Sequence, residues 1–91
     1  MFYAISYDIG DDRRRHRVSE TLKDFGTRVQ LSVFETQATG AQLEDLIRRV
    51  KGLLDEGEDS VRIYPMCAGC KDAVQVLGQG KVTQLPDVII I

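Results

Sequence analysis

The chain contains little cysteine, proline or histidine: two, two and one residue, respectively, among 91. With one pair of cysteines and no second pair, the chain cannot close a four-ligand structural zinc site by itself. No apolar run approaches the length of a membrane span, and the first residues lack the secretory pattern in which basic residues precede an apolar stretch. We therefore expect a cytoplasmic protein that forms a single domain over residues 1–91 and does not associate with membranes.

The net charge is also small, −2, and does not by itself indicate binding to nucleic acid. Its distribution is uneven, because residues 1–51 carry nine Lys and Arg against eight Asp and Glu, whereas residues 52–91 carry three against six. Four arginines fall within the five positions 13–17. Such a cluster on a mildly acidic protein suits binding of a polyanion at one surface. A solvated helix face would give the same pattern.

Near the N-terminus, the pattern predicts a strand followed by a helix. Phe2 to Asp8 alternates its aromatic and branched residues between two faces, as strands do. Asp11 or Asp12 is placed to cap a helix that reaches about Phe25, because a short carboxylate can accept hydrogen bonds from the first helical N–H groups. Gly26 would end this helix in the left-handed conformation that glycine adopts readily.

The rest of the chain alternates between strand and helix signals. Residues 27–36 have period two and predict either one long strand or two short strands joined by a bulge. Thr39 and Gly40 begin a second helix. Its apolar stripe consists of Leu43, Leu46, Ile47, Val50, Leu53 and Leu54. The remaining predicted segments are a strand at Ser60 to Met66, a further short strand at Ala73 to Leu77 and an apolar tail at Val88 to Ile91.

This order of elements predicts the α+β class and a ferredoxin-like βαββαβ sandwich, with two helices on one face of an antiparallel sheet. The core would extend over about residues 1–66, and residues 67–91 would add a C-terminal strand and tail. An apolar strand beyond a complete core favours pairing with a second subunit, which would also cover an exposed sheet edge. We therefore expect a homodimer.

Asp8 is the strongest candidate for chemistry. A carboxylate at the end of a strand is held by the sheet, and magnesium commonly takes one or two carboxylates together with waters and substrate phosphates. If a dimer axis lies near the strand end, two copies of Asp8 could share one ion that orients a water and neutralises charge on a phosphodiester. The residue types alone leave a second interpretation open, in which Asp8 caps the turn at Gly10 or the helix that follows.

The arginines that follow the first strand are candidates for phosphate contacts, because guanidinium groups bind phosphate oxygens through paired hydrogen bonds. Arg13, Arg14 and Arg17 lie in the predicted first helix. Arg28 lies at the start of the next strand and would extend the basic surface. We assign these four arginines to nucleic-acid binding, with Arg17 closest to phosphate or to the metal-site carboxylate.

Two residues of this helix have a second interpretation. Arg17 could form a salt bridge with Asp12 or Asp24 instead of contacting phosphate. His16, the single histidine, titrates near neutral pH and is conceivable as a general base. Lone histidines on exposed helices usually have no such role, and we leave His16 out of the site.

Cys67 and Cys70 form a C-x-x-C motif after the Ser60–Met66 strand. Two subunits could complete a tetrahedral zinc site only if these segments met in the dimer. A redox role favours a motif that opens a helix after a strand, and the sequence matches that setting poorly. We therefore expect reduced thiols in a tight turn.

Three blocks of sequence, taken together, resemble one family. The first runs from Tyr7 to Val18, the second from Phe25 to Glu35, and the third from Asp59 to Pro65, followed by Cys67 and Cys70. In this order and spacing they are similar to the Cas-two family of CRISPR-associated proteins. The resemblance covers most of the chain.

The resemblance implies a ferredoxin-like homodimer in which residues 27–36 form two strands. It also implies an endonuclease that uses magnesium, or manganese in its place, and cleaves RNA or double-stranded DNA. The family acts in spacer acquisition together with the Cas-one integrase, and a non-catalytic DNA-binding scaffold of that complex is the alternative function. Matched by position, Asp8 is the catalytic and metal-binding residue, with Tyr7, Ser32 and Phe34 as supporting residues.

A third function, from a different class, is a regulatory domain of the same fold that binds a small molecule. The arginine cluster beside Asp8 counts against it.

Overall fold

The structure, a computed structural model, describes residues 1–80 and contains four strands and three helices within that range. The strands are β1 (Phe2–Asp8), β2 (Thr27–Gln30), β3 (Val33–Gln37) and β4 (Ser60–Met66). The helices are α1 (Asp12–Leu22), α2 (Gly40–Lys51) and α3 (Ala68–Asp72). The sheet has the order β2–β3–β1–β4, and all neighbouring strands are antiparallel. The predicted α+β class and ferredoxin-like βαββαβ order are therefore confirmed.

The core lies between the sheet and the first two helices. At its centre, Ile5 of β1 pairs with Phe34 of β3 on one side and with Ile63 of β4 on the other. The buried side chains of this core are Ile5, Tyr7, Ile9, Val18, Leu22, Phe34, Leu46 and Val50. Removing their apolar surface from water is the main term that holds the helices on the sheet. The end of β1 is thereby fixed against both helices.

The first helix begins as predicted but ends earlier. Asp11 is the N-cap, and its carboxylate accepts a hydrogen bond of 2.9 Å from the N–H of Arg14. The helix ends at Leu22 rather than at Phe25, because residues 23–25 form a turn in which the N–H of Phe25 donates to the Leu22 carbonyl.

The assignment of Gly26 to a left-handed helix stop is wrong. Within residues 1–80, positive φ angles occur only at Gly78 and Gly80. A Cβ atom at Gly26 would lie 2.2 Å from the carbonyl oxygen of Glu35 and 2.8 Å from Cβ of Thr36. Glycine is therefore required because the backbone approaches β3 closely.

Residues 27–37 form two strands, which decides between the two predictions for this segment. β2 and β3 pair as a hairpin, with Leu31 and Ser32 in the turn between them. The pairing register shifts between Arg28 and Gln30. The hairpin places its turn next to the end of β1.

The second helix begins at the predicted position. Thr39 and Gln42 form a reciprocal capping box, in which each side chain accepts a hydrogen bond from the other residue's backbone N–H. The predicted apolar stripe is only partly buried, because Ile47 is 37% exposed. Leu53 and Leu54 lie beyond the end of the helix, although both pack against the core.

The strand at Ser60–Met66 is confirmed, but the predicted strand at Ala73–Leu77 is wrong. The helix α3 ends at Asp72, and residues 74–77 belong to no helix or strand. The N–H groups of Ala73 and Val74 donate to carbonyls of α3 rather than to a neighbouring strand. The predicted tail at Val88–Ile91 lies outside the described residues. Across residues 1–80, none of the helices has the length and apolarity needed to cross a membrane.

Candidate active site

Asp8 is the last residue of β1, where it pairs with Ser60 at the start of β4. Its side chain is exposed, and its carboxylate forms no hydrogen bond or ion pair with any other residue of the described range 1–80. The cap of α1 is Asp11, so the interpretation of Asp8 as a helix cap is wrong. The carboxylate is therefore held in place by the sheet while its oxygens remain available to a ligand.

Asp8 forms part of the wall of an open cleft of about 730 Å³. The cleft lies between the end of β1, one face of α1 and the β2–β3 turn. It is lined by Tyr7, Asp8, Ile9, Arg15, His16, Ser19, Glu20, Lys23, Arg28, Leu31 and Ser32. Three cationic side chains and two carboxylates are included, so the cleft carries an excess of positive charge beside an open carboxylate. This combination suits a phosphate-bearing ligand.

The three predicted supporting residues hold the hairpin against the end of β1. The hydroxyl of Tyr7 donates to the Leu31 carbonyl at 3.0 Å, and the Tyr7 N–H donates to the Ser32 carbonyl at 3.1 Å. The Phe34 ring is buried with its centroid 6.3 Å from that of Tyr7. These contacts fix the floor and one wall of the cleft.

Arg28 lies in the cleft, as expected for a residue that extends the basic surface. Its Nη2 donates to the hydroxyl of Ser19, which is buried on α1. Its guanidinium carbon lies 5.7 Å from the centroid of the Phe34 ring. One edge of the guanidinium is therefore anchored, while the rest of the exposed side chain is available to a ligand.

Sequence reasoning missed a row of cleft residues on α1. His16, Glu20 and Lys23 are spaced by four and three residues, which places them on one helix face. Lys23 donates to Glu20 at 2.7 Å, and this bond lowers the pKa of the Glu20 carboxyl. Helical periodicity, extended from His16, could have found this row.

Arg15 was also missed. Its Nη1 donates to the Ile9 carbonyl at 3.0 Å, and its Nη2 binds the carboxylate of Asp12. Arg15 thus ties the segment after β1 to the first turn of α1 and stabilises the position of Asp8.

Arg14, in contrast, lies outside the cleft and has a structural partner. Its Nε and Nη2 donate to the two carboxylate oxygens of Asp59 at 2.7 and 3.2 Å, and the Asp59 side chain is fully buried. The N–H of Asp55 also donates to Asp59 at 2.9 Å. These hydrogen bonds lower the pKa of the Asp59 carboxyl, and the bond from Arg14 has the largest effect. The neighbouring Arg13 is exposed, and nucleic-acid binding by both arginines stays a prediction.

Arg17 is exposed and does not line the cleft. The alternative salt bridges proposed for it are wrong, since Asp12 binds Arg15 and Asp24 binds Arg49 at 2.9 Å. Arg17 forms no ion pair within residues 1–80. Its contact with phosphate stays a prediction.

The possible metal ligands in the cleft suit a hard cation that keeps most of its coordinated water molecules. Among the described residues, no three His, Cys, Asp or Glu side chains lie close enough to hold a metal ion together. Asp8 is the cleft carboxylate without a protein partner, because Glu20 is bound to Lys23. One or two carboxylates with waters and substrate phosphates is a coordination that magnesium accepts and that zinc does not favour.

Comparison with known proteins gives consistent matches along the chain. The family described as CRISPR associated protein Cas2 matches residues 1–74. CRISPR-associated endonuclease Cas2 2 of Thermus thermophilus is 47% identical over 89 residues, which cover 98% of this chain and 94% of that protein. CRISPR-associated endoribonuclease Cas2 3 of Synechocystis sp. is 36% identical over 91 residues, which cover 100% and 99% of the two chains.

A solved structure, the partial Cas6-RT-Cas1–Cas2 complex, contains a similar chain. The TM-score is 0.79 at 26% identity, and the alignment covers 99% of this chain and 98% of that one. The sequence matches and the shared fold extend over the cleft and the strand that ends in Asp8. The chain therefore belongs to the CRISPR-associated protein Cas2 family.

Proposed function

We propose that this chain acts in CRISPR adaptation, the acquisition of new spacers, as a magnesium-dependent endonuclease that cleaves phosphodiester bonds of RNA or double-stranded DNA. The names of its relatives support nuclease activity, since these proteins are called endonuclease and endoribonuclease. The similar chain in the complex that contains Cas1 supports Cas1, the integrase, as a partner. Manganese could take the place of magnesium, because it is also a hard divalent cation. We place this activity in the cytoplasm.

The observation that carries the proposal is the exposed carboxylate of Asp8, which lacks a protein partner within residues 1–80 and borders a cationic cleft. A bound magnesium ion would supply an activated water and neutralise charge that develops on the phosphodiester. Asp8 would hold the ion. Arg28 and Lys23 would bind phosphate oxygens, and Arg15 would keep the segment after β1 in position.

A homodimer would give the site a second carboxylate. Along β1, Ala4, Ser6 and Asp8 point away from the core residues Ile5 and Tyr7, because side chains alternate between faces. This open face also carries Tyr64 of β4, which pairs with Ala4 and is 47% exposed. Two copies packed through this face would bring their Asp8 side chains towards one axis.

A non-catalytic DNA-binding scaffold is the second candidate function. It is favoured by the small number of ligands, since within residues 1–80 one chain offers a single unpartnered carboxylate in the cleft. In this case the cations of the cleft would bind DNA and hold it for Cas1, and Asp8 would not be required.

The deciding experiment compares cleavage by wild type, Asp8→Asn and Asp72→Asn. Asp72 is also an exposed carboxylate, on α3, so its substitution makes the same charge change away from the cleft. Single-stranded RNA and duplex DNA are incubated with each protein and magnesium or manganese. We expect Asp8→Asn to lose at least about 100-fold in rate, because a metal ligand is removed, whereas Asp72→Asn retains activity. Equal cleavage by all three proteins, or cleavage by none, would favour the scaffold.

The dimer is tested with a charge on the open face. Tyr64→Lys should shift the protein from dimer to monomer in light scattering, because a buried cation without a partner is costly. Ile47→Lys, at a comparably exposed position on α2, should leave the dimer intact. A Tyr64→Lys variant that remains dimeric at the same concentration would contradict packing through this face.

A further inference from the structure

The C-x-x-C motif lies in a setting that the sequence did not indicate. Cys67 directly follows β4, and Cys70 lies in α3, so the motif opens a helix immediately after a strand. The expected tight turn is instead the first turn of a short helix. Both cysteines are free and exposed.

The two thiols are adjacent. The N–H of Cys70 donates to Sγ of Cys67 at 3.4 Å. A disulfide needs its two Cβ atoms within about 3.5–4.5 Å of each other. The turn that brings the N–H of Cys70 to Sγ of Cys67 holds the two cysteines close to that arrangement. The sulfurs can therefore join with a small local movement.

A metal ion is a poorer explanation of this pair. Across residues 1–80, no third His, Cys, Asp or Glu side chain joins the two thiols to complete a ligand group. A structural zinc site takes four ligands, so one chain supplies half of what it needs.

We propose that Cys67 and Cys70 are a dithiol–disulfide pair, oxidised by a small-molecule disulfide of the glutathione class. The Cys67 thiolate attacks one sulfur of the reagent, forms a mixed disulfide and releases one glutathione thiolate, which takes up a proton. Cys70 then loses its proton and attacks Sγ of Cys67, which releases the second glutathione. In total, two protein thiols become one disulfide and one glutathione disulfide becomes two glutathione thiols.

The order of attack follows from the hydrogen bonds. Bonds from the backbone N–H and the thiol of Cys70, together with the Gly69 N–H, lower the pKa of the Cys67 thiol. The contact with Cys67 raises the pKa of the Cys70 thiol. Since the thiolate is the attacking species, Cys67 reacts first and Cys70 resolves the mixed disulfide.

The pair is remote from the proposed nuclease site. Asp8 pairs with Ser60 at one end of β4, whereas Phe2 pairs with Met66 at the other end, next to Cys67. Six residues of strand separate the two positions, or about 20 Å. The inference therefore does not depend on the proposed function, and a failed cleavage assay would leave it untouched.

The test is oxidation of the full chain by excess glutathione disulfide, followed by alkylation of remaining thiols and mass spectrometry. The mass of wild type should fall by two hydrogens, with no glutathione attached and no alkyl label added. The protein should remain a single chain, without disulfides to a second chain. Cys70→Ser should retain one glutathione, because the resolving thiol is missing. Cys67→Ser should react several-fold more slowly than Cys70→Ser at neutral pH.

Three results would overturn the proposal. Wild type could keep both thiols available to the alkylating reagent, accumulate stable glutathione adducts, or form disulfides between chains. Equal reaction rates of the two single variants would overturn the order of attack. Circular dichroism of each variant checks that the fold is intact. We expect it to be intact, because both serine substitutions lie at exposed positions.

Discussion

Two carboxylates at the same end of the sheet have opposite surroundings. Asp59, which precedes β4, has a fully buried side chain that accepts hydrogen bonds from two nitrogens of Arg14 and from the N–H of Asp55. Asp8, which ends β1 beside Ser60, is exposed and its carboxylate bonds to no other side chain or N–H group within residues 1–80. The same chemical group is thus fully satisfied in one place and left open in the other.

The comparison separates stability from function. A buried carboxylate must be paired, because an unpaired charge in the protein interior is strongly unfavourable. Asp59 meets this requirement through Arg14, and its buried side chain offers no surface to a ligand. Asp8 is positioned just as firmly by the sheet, but its oxygens remain available to a metal ion. Substitutions at the two positions should therefore have opposite consequences for folding and for activity.

The comparison extends to the arginines, and Arg28 should show the largest effect on binding. Arg28→Ala should weaken binding of nucleic acid about tenfold. It should also reduce the slope of log affinity against log salt concentration by about one, the contribution of one phosphate contact. Fluorescence anisotropy with labelled RNA and duplex DNA, at several salt concentrations, measures both quantities. Arg48→Ala is the matched control, because it removes an equal charge from an exposed position on α2. Equal losses in both variants would mean that the cleft is not the binding surface.

Asp59→Asn should lower stability and leave cleavage unchanged. The substitution removes the charge that pairs with Arg14, so the thermal midpoint should fall by several degrees. Asp45→Asn breaks an exposed pair with Arg48 and should lower the midpoint by about one degree or less. Scanning calorimetry measures both variants, and similar midpoints would show that the Asp59 pair contributes no more than a surface pair.

The smallest expected effect is a pH dependence of the stabilisation that Asp59 provides. Its pKa in the folded protein lies below the ordinary value of 3.8, so the unfolded chain binds more protons than the folded one near that pH. The stabilisation is complete above the ordinary pKa and is lost as the pH falls through the folded value. The difference in midpoint between wild type and Asp59→Asn should therefore stay constant at pH 5–7 and shrink below about pH 4. A difference that does not shrink would contradict this role.

Much of the fold could be predicted because local signals agreed with one another. The alternation of β1, the cap at Asp11 and the capping box at Thr39 each depend on residues close in sequence. Gly26 was located correctly but explained wrongly, since its glycine is required by the approach of β3 and not by its own φ angle. The short helix α3 was missed because five residues carry too little periodicity to distinguish a helix from a turn.

The candidate site could be predicted only where a residue's role follows from its position in one element. Asp8 was found because it ends a strand, and Arg28 because it lies near the start of another. The pair between Arg14 and Asp59 joins residues 45 positions apart, and nothing in the local pattern identifies it. The cleft itself requires three elements to meet, so its wall on α1 became apparent only in the structure.

The proposed nuclease activity requires that the open carboxylate of Asp8 holds a divalent cation. Binding of manganese, followed by electron paramagnetic resonance, tests it without requiring turnover. We expect wild type to bind one ion per two chains and Asp8→Asn to bind none at the same concentration. Asp59→Asn should bind manganese as wild type does while it remains folded. Manganese binding by Asp8→Asn with the affinity and stoichiometry of wild type would show that Asp8 does not hold the ion.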